Sequence, residues 1–131
     1  MMKVQASAPH FFVSNLMRSV RFYVDMLGFR EPNIWGEPPC FAMPDHGGFV
    51  VMLNQAEGKP PAPNGPDCWD AYFWCDAIDE LHEQLVRAGA RLAHGPEERE
   101  YYGMRELAVL DPDGYLLVFA EDMPAEAEKN A

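Results

Sequence analysis

Apolar and polar residues recur along this chain in two blocks that share one order of elements. In the first block Ser7–Val13 has the two-residue period of a strand. Leu16, Val20, Tyr23 and Leu27 then fall on one face of a helix, with Arg18, Arg21 and Asp25 opposite. Asn15 or Ser14 stands where that helix needs an N-cap, and Gly28 where it needs a left-handed terminating residue. Strands follow at Pro39–Met43 and Phe49–Asn54 around the turn Pro44-Asp45-His46-Gly47-Gly48. A weaker one lies near Glu31–Trp35, limited by Pro32. The second block repeats the order. Trp69–Cys75 is a strand, and a helix opens at Asp76, with Asp79 near its positive end and Ile78, Leu81, Leu85 and Ala88 on its apolar face. Gly89 ends that helix, and strands follow at Ala90–His94, Met104–Leu110 and Tyr115–Ala120. Strand, helix and three strands, written twice, predict an α+β fold of two tandem βαβββ modules. Aligning the closing hairpins on Gly48 and Gly114 sends Val51, Leu53, Leu117 and Phe119 to one face. Val50, Met52, Leu116 and Val118 go to the other.

The modules run over about residues 6–56 and 68–122, joined by a proline-rich linker at about 57–67 and followed by an acidic tail at 123–131. Each module is too small to be comfortable alone, so residues 1–131 are expected to form a single domain. The chain has 131 residues, 48% of them hydrophobic, enough for an ordinary core. No apolar run approaches the roughly 20 residues of a membrane span, and the start lacks a signal pattern, so a cytoplasmic protein is expected. A formal charge of −11 argues against nucleic acid and anionic membranes as partners; its bland reading is solubility, and its functional one is an acidic surface that gathers cationic small molecules. Cys40, Cys68 and Cys75 lack metal-type spacing and read as reduced thiols.

The string Arg21-Phe22-Tyr23-Val24-Asp25-Met26-Leu27-Gly28-Phe29 and the run Gly103-Met104-Arg105-Glu106-Leu107 ahead of Asp111-Pro112-Asp113-Gly114 carry a family resemblance. Together with the repeated element order, they make the chain similar to the vicinal oxygen chelate superfamily of glyoxalases, bleomycin-resistance proteins and extradiol dioxygenases, over about residues 6–122. The resemblance implies curled half-barrel sheets, helices outside and a cavity on the concave side. It also implies a homodimer. Metal-dependent members place four ligands on the first and last strands of each module, and those positions here are Ala8, Met52, Asp70 and Val118. One carboxylate beside an alanine and two apolar side chains cannot hold a divalent ion, so neither a metal nor any other cofactor is expected. A displaced site at His10, Asp70 and Glu106 is the alternative.

Strand parity puts Ala8, His10 and Phe12 on the concave face of the first module, with Met52 on the neighbouring strand. It puts Asp70, Tyr72 and Trp74 on that of the second. Glu106 takes the same face, because Leu107 and Val109 take the other parity, and Trp35 and Tyr102 are placed to close the rim. Aromatic faces stack planar ligands and, beside a carboxylate, hold cations; the bland reading is that some of these rings only fill a core. His46 and His82 read as turn and solvent-face residues, Cys75 as packing, and Asp111–Gly114 as a turn without a calcium loop's spaced oxygens. No nucleophile–base pair is visible, so no catalytic residue is assigned. The expected function is metal-independent binding and sequestration of an aromatic, antibiotic-like small molecule, closest to the bleomycin-resistance branch. The alternatives are a glyoxalase-type lyase or isomerase, or a dioxygenase, with an atypical metal site, and a scaffold with a filled cavity.

Overall fold

The computed structural model describes residues 1–65 and 67–124. The chain divides into two compact units, Met1–Pro63 with Asp111–Gly114, and Asn64–Leu110 with the chain from Tyr115 onward. Among the described residues no helix is long and apolar enough to cross a membrane. The acidic tail after residue 124 lies outside the described residues.

In the first unit, β1 (His10–Val13) leads into helix α1 (Leu16–Arg21), which widens into a π-helical segment over Phe22–Met26. The Asn15 side chain accepts from the Arg18 N–H at 3.1 Å, which makes Asn15 the cap. Leu16, Val20, Tyr23 and Leu27 are all buried, and Gly28 leaves the helix at φ +77°. The strands β2 (Ile34–Trp35), β3 (Phe41–Ala42) and β6 (Met52–Gln55) join β1 in an open sheet of order β1-β6-β3-β2, with β1 and β6 parallel. Between them β4 (Asp45–His46) and β5 (Phe49–Val50) form a separate hairpin. The expected single strand Phe49–Asn54 is therefore broken at Val51. Its N–H donates to the Pro44 carbonyl at 3.0 Å instead of to a sheet partner. The face assignment holds across that break: Val51 and Leu53 are fully buried, while Val50 and Met52 are half-buried. The turn Asp111–Gly114 belongs to this unit, where both Asp113 carboxylate oxygens accept from the Ser14 N–H at 3.2 Å, just before α1.

The second unit has β7 (Ala71–Trp74), α2 (Ile78–Arg87), β8 (Arg91–Arg99), β9 (Met104–Leu110) and β10 (Leu116–Asp122), in the order β7-β10-β9-β8. Its β7–β10 pair is parallel, like β1–β6, and the Tyr72–Val118 partners stand where His10–Met52 stand in the first unit. Both modules are thus βαβββ, and neither sheet is closed. Helix α2 departs from expectation at its start. Asp76 does not cap it; the position before Ile78 is Ala77 at φ +51°, and the Ile78 N–H is met by the Glu121 carboxylate of β10 at 3.3 Å. Ile78 and Leu85 are fully buried and Leu81 half-buried, but Ala88 is exposed, so the apolar face is one turn shorter than its pattern. Strand β8 runs to Arg99 rather than stopping at His94. It crosses two register shifts, one at Ala93 and one that absorbs Gly95 and Pro96 on this edge strand.

Candidate functional site

Burial of Leu107 and Val109 on the α2 side of the second sheet turns Glu106 and Ala108 to the other face. There Ala108, Leu116 and Val118 form an apolar floor, with Leu110 and the Tyr72 ring packed against it. Glu106 is set into that face at 1% exposure. A carboxylate so placed needs close partners, because desolvating its charge costs several kcal/mol. It has three. The Tyr72 and Tyr102 hydroxyls both donate to Oε2, at 2.6 and 2.7 Å, and the Arg99 Nε lies 3.4 Å from Oε1. Arg99 is held from its other side by Glu97 at 2.8 Å.

Burial, and then the bond to Glu106 and its charge, push the Tyr72 hydroxyl well above the ordinary phenol range, and Tyr102 is raised by the same causes in the same order. Both phenols stay protonated as donors. The Arg99 hydrogen bond holds Glu97 below the usual carboxylate range, helped by His94, so the group beside Arg99 stays charged.

Around this cluster runs a rail of aromatic rings. Trp69 lies 4.9 Å from Tyr72 and Trp74 5.0 Å from it on the other side, centroid to centroid. Trp69 is 50% exposed, Trp74 74% and Tyr102 44%, which is ring surface left for something else to cover. Asp70, at the head of β7, is placed differently from a free counter-charge. Its Oδ2 accepts from the Leu116 N–H at 2.8 Å and its Oδ1 from the Asn64 N–H at 3.4 Å, pinning the strand entry to β10.

In the first unit the face of β1 that carries alternate residues holds His10 and Phe12, in edge contact at 4.8 Å. His10 Nε2 is 2.6 Å from Asn54 Oδ1, and Met52, the register partner of His10, is half-buried beside it. Trp35 packs on Phe41 at 5.5 Å and also borders a surface cleft of about 420 Å³ formed with Arg30, Glu31, Asn33, Met43 and Asp45. That cleft is polar and is spanned by the Arg30–Asp45 ion pair at 2.8 Å.

The structure thus gathers Tyr72, Trp74, Tyr102 and Glu106 at one place in the second unit. His10, Phe12 and Met52 lie together in the first, with Trp35 beside Phe41. Three contributors were missed. Arg99 lay beyond the expected end of β8. Trp69 has the wrong strand parity but precedes the strand, and its spacing of three from Tyr72 was the available signal. Asn54 shares the parity of Met52 and was legible from that alone.

The donor set does not fit a divalent ion. Of the four family positions only Asp70 bears a ligating atom, and both its oxygens are bound to backbone N–H groups. The displaced alternative fares no better, since Glu106 is enclosed by two phenols and Arg99, and His10 Nε2 is already engaged by Asn54 Oδ1. Among the described residues no group of three or more His, Cys, Asp or Glu is placed to hold a metal.

Residues 6–119 match the family model described as the Glyoxalase/Bleomycin resistance protein/Dioxygenase superfamily. Among curated proteins nothing matches the chain. Solved structures do. A glyoxalase-related enzyme from Clostridium phytofermentans superposes with a TM-score of 0.75 at 18% identity, over 93% of this chain and 98% of that one. TioX from Micromonospora sp. ML1 gives 0.70 at 23% identity, over 92% and 100%. A superfamily member from Sphaerobacter thermophilus DSM 20745 gives 0.70 at 21%, over 93% and 100%. At these identities the likeness is one of fold.

Proposed function

The chain belongs to the glyoxalase/bleomycin resistance protein/dioxygenase superfamily, and from that premise we propose that it binds an aromatic small molecule without a metal and sequesters it unchanged. The observation that carries this reading is the rail Trp69–Tyr72–Trp74, with both indoles exposed, beside an apolar floor and a buried Glu106 that is already satisfied. Such a face offers a planar ligand stacking surface and burial.

Cationic ligands are favoured, because the indole faces attract them and the chain's charge of −11 draws them in. Asp70 adds negative charge at one end of the rail while holding β7 in place. In the first unit His10, Phe12 and Met52, with Trp35 beside Phe41, are proposed as a corresponding ligand-binding face of that unit. A homodimer is part of the proposal, since β2 and β8 end their sheets and a second copy covers such edges.

The test is a titration of the whole chain with a panel of planar aromatic cations and their saturated, non-planar counterparts, followed by tryptophan emission. The planar members should bind and quench, and the saturated ones should not. A panel with no binder would remove the proposal.

A further inference from the structure

We propose that the Tyr72–Glu106–Tyr102 cluster selects ligands that carry N–H donors, so that the favoured ligand is a planar aromatic cation with an amino group at its edge; this rests on the binding reading above. Both hydroxyl protons point at a single atom, Glu106 Oε2, at 2.6 and 2.7 Å. A phenol whose proton is so engaged has only lone pairs left to present. The carboxylate itself is sealed at 1% exposure, so it reaches no ligand. Its role is to hold both tyrosines in one orientation, which makes Glu106 a positioning residue. Because both phenols are held protonated, their oxygens remain neutral acceptors rather than becoming anions at working pH.

The consequence is a polarity of recognition. A ligand N–H reaching the Tyr72 or Tyr102 oxygen finds an acceptor strengthened by the charge behind it. A ligand carbonyl or carboxylate in the same place meets oxygen against oxygen. Arg99, the nearby cationic donor, already commits its Nη1 to Glu97 and its Nε to Glu106. Trp69 and Trp74 supply the stacking surface on either side of Tyr72, so ring and amino group are read at one place.

Two planar cations separate donor recognition from charge and stacking: 9-aminoacridine, which presents N–H donors, and 10-methylacridinium, which has none. Calorimetric titration of the whole chain should show 9-aminoacridine binding at least about tenfold more tightly, the scale of one charge-assisted hydrogen bond. In the double variant Tyr72→Phe/Tyr102→Phe the rings remain and the oxygens go. The ratio should fall toward one. Glu106→Gln should narrow the ratio as well, because the two hydroxyls are no longer held by a charge. Should the double variant fail to fold, Tyr102→Phe alone, at a half-exposed position, must already narrow the ratio. Equal affinities in the unaltered protein, or a ratio the variants leave unchanged, would overturn the inference while sparing the binding reading. Failure of both probes to bind would overturn the two together.

Discussion

Tyr72→Phe is the sharpest probe of the buried cluster, because it keeps the ring in its packing and removes only one donor from Glu106. The lost bond is a 2.6 Å contact from a phenol to an enclosed carboxylate, and hydrogen bonds to charged groups contribute about 1.5–3 kcal/mol. Tyr102 at 2.7 Å and Arg99 at 3.4 Å stay behind, so the carboxylate is not orphaned. The expected loss therefore sits at the lower end, about 1.5–2 kcal/mol. Tyr102→Phe should cost less, below about 1 kcal/mol, because Tyr102 is half exposed and water can take the place of its hydroxyl. Removing both should cost more than the sum, since Oε2 then keeps no donor at all. Urea denaturation followed by far-ultraviolet circular dichroism reads all three. The slope should be unchanged and the midpoint displaced. A loss for Tyr72→Phe below about 0.5 kcal/mol, the scale of an ordinary surface substitution, would refute the reasoning, as would Tyr102→Phe proving the costlier of the two.

Elemental analysis of protein purified without chelator should find far less than one zinc, nickel, manganese or iron per chain; a stoichiometric metal would revive the lyase, isomerase or dioxygenase alternative. Sedimentation at micromolar concentration should show about twice the 14.8 kDa chain mass, and a clean monomer would contradict the dimer. Thiol titration near pH 8 should find Cys40 and Cys68 reacting quickly and Cys75 slowly. Burial, followed by the Glu121 and Asp76 charges, pushes the Cys75 thiol up to about 11, so little thiolate forms below that pH. Three equally fast thiols would contradict its placement.

Local pattern made much of the fold legible. The helix face Leu16, Val20, Tyr23 and Leu27, the Asn15 cap and the left-handed Gly28 all follow from residues within one or two turns of each other. The α2 start was not legible in the same way, because its N–H partner is Glu121, 43 residues from Ile78. No local rule selects a distant carboxylate over the adjacent Asp76. Strand β8 was cut short for a related reason: Gly95 and Pro96 are breaker residues, yet on an edge strand the ladder tolerates them through register shifts. At the site, parity alone placed Tyr72, Trp74 and Glu106 on one face. That Glu106 faces two phenols and an arginine, and that Asp70 turns to the backbone, depends on side-chain packing that a two-residue period does not encode.

If the Trp69–Tyr72–Trp74 rail is a ligand surface, Trp74→Ala must bind a planar cation more weakly than the unaltered protein. Trp74 is so exposed that its removal should leave the fold intact. A desolvated cation–aromatic contact is worth about 2 kcal/mol and an aromatic pair about 0.5–1.5 kcal/mol, while about 1.4 kcal/mol is a factor of ten. Calorimetric titration of 9-aminoacridine should therefore show binding weakened at least about tenfold in Trp74→Ala. An affinity unchanged from the unaltered protein would place the ligand elsewhere and show that the rail is not its site.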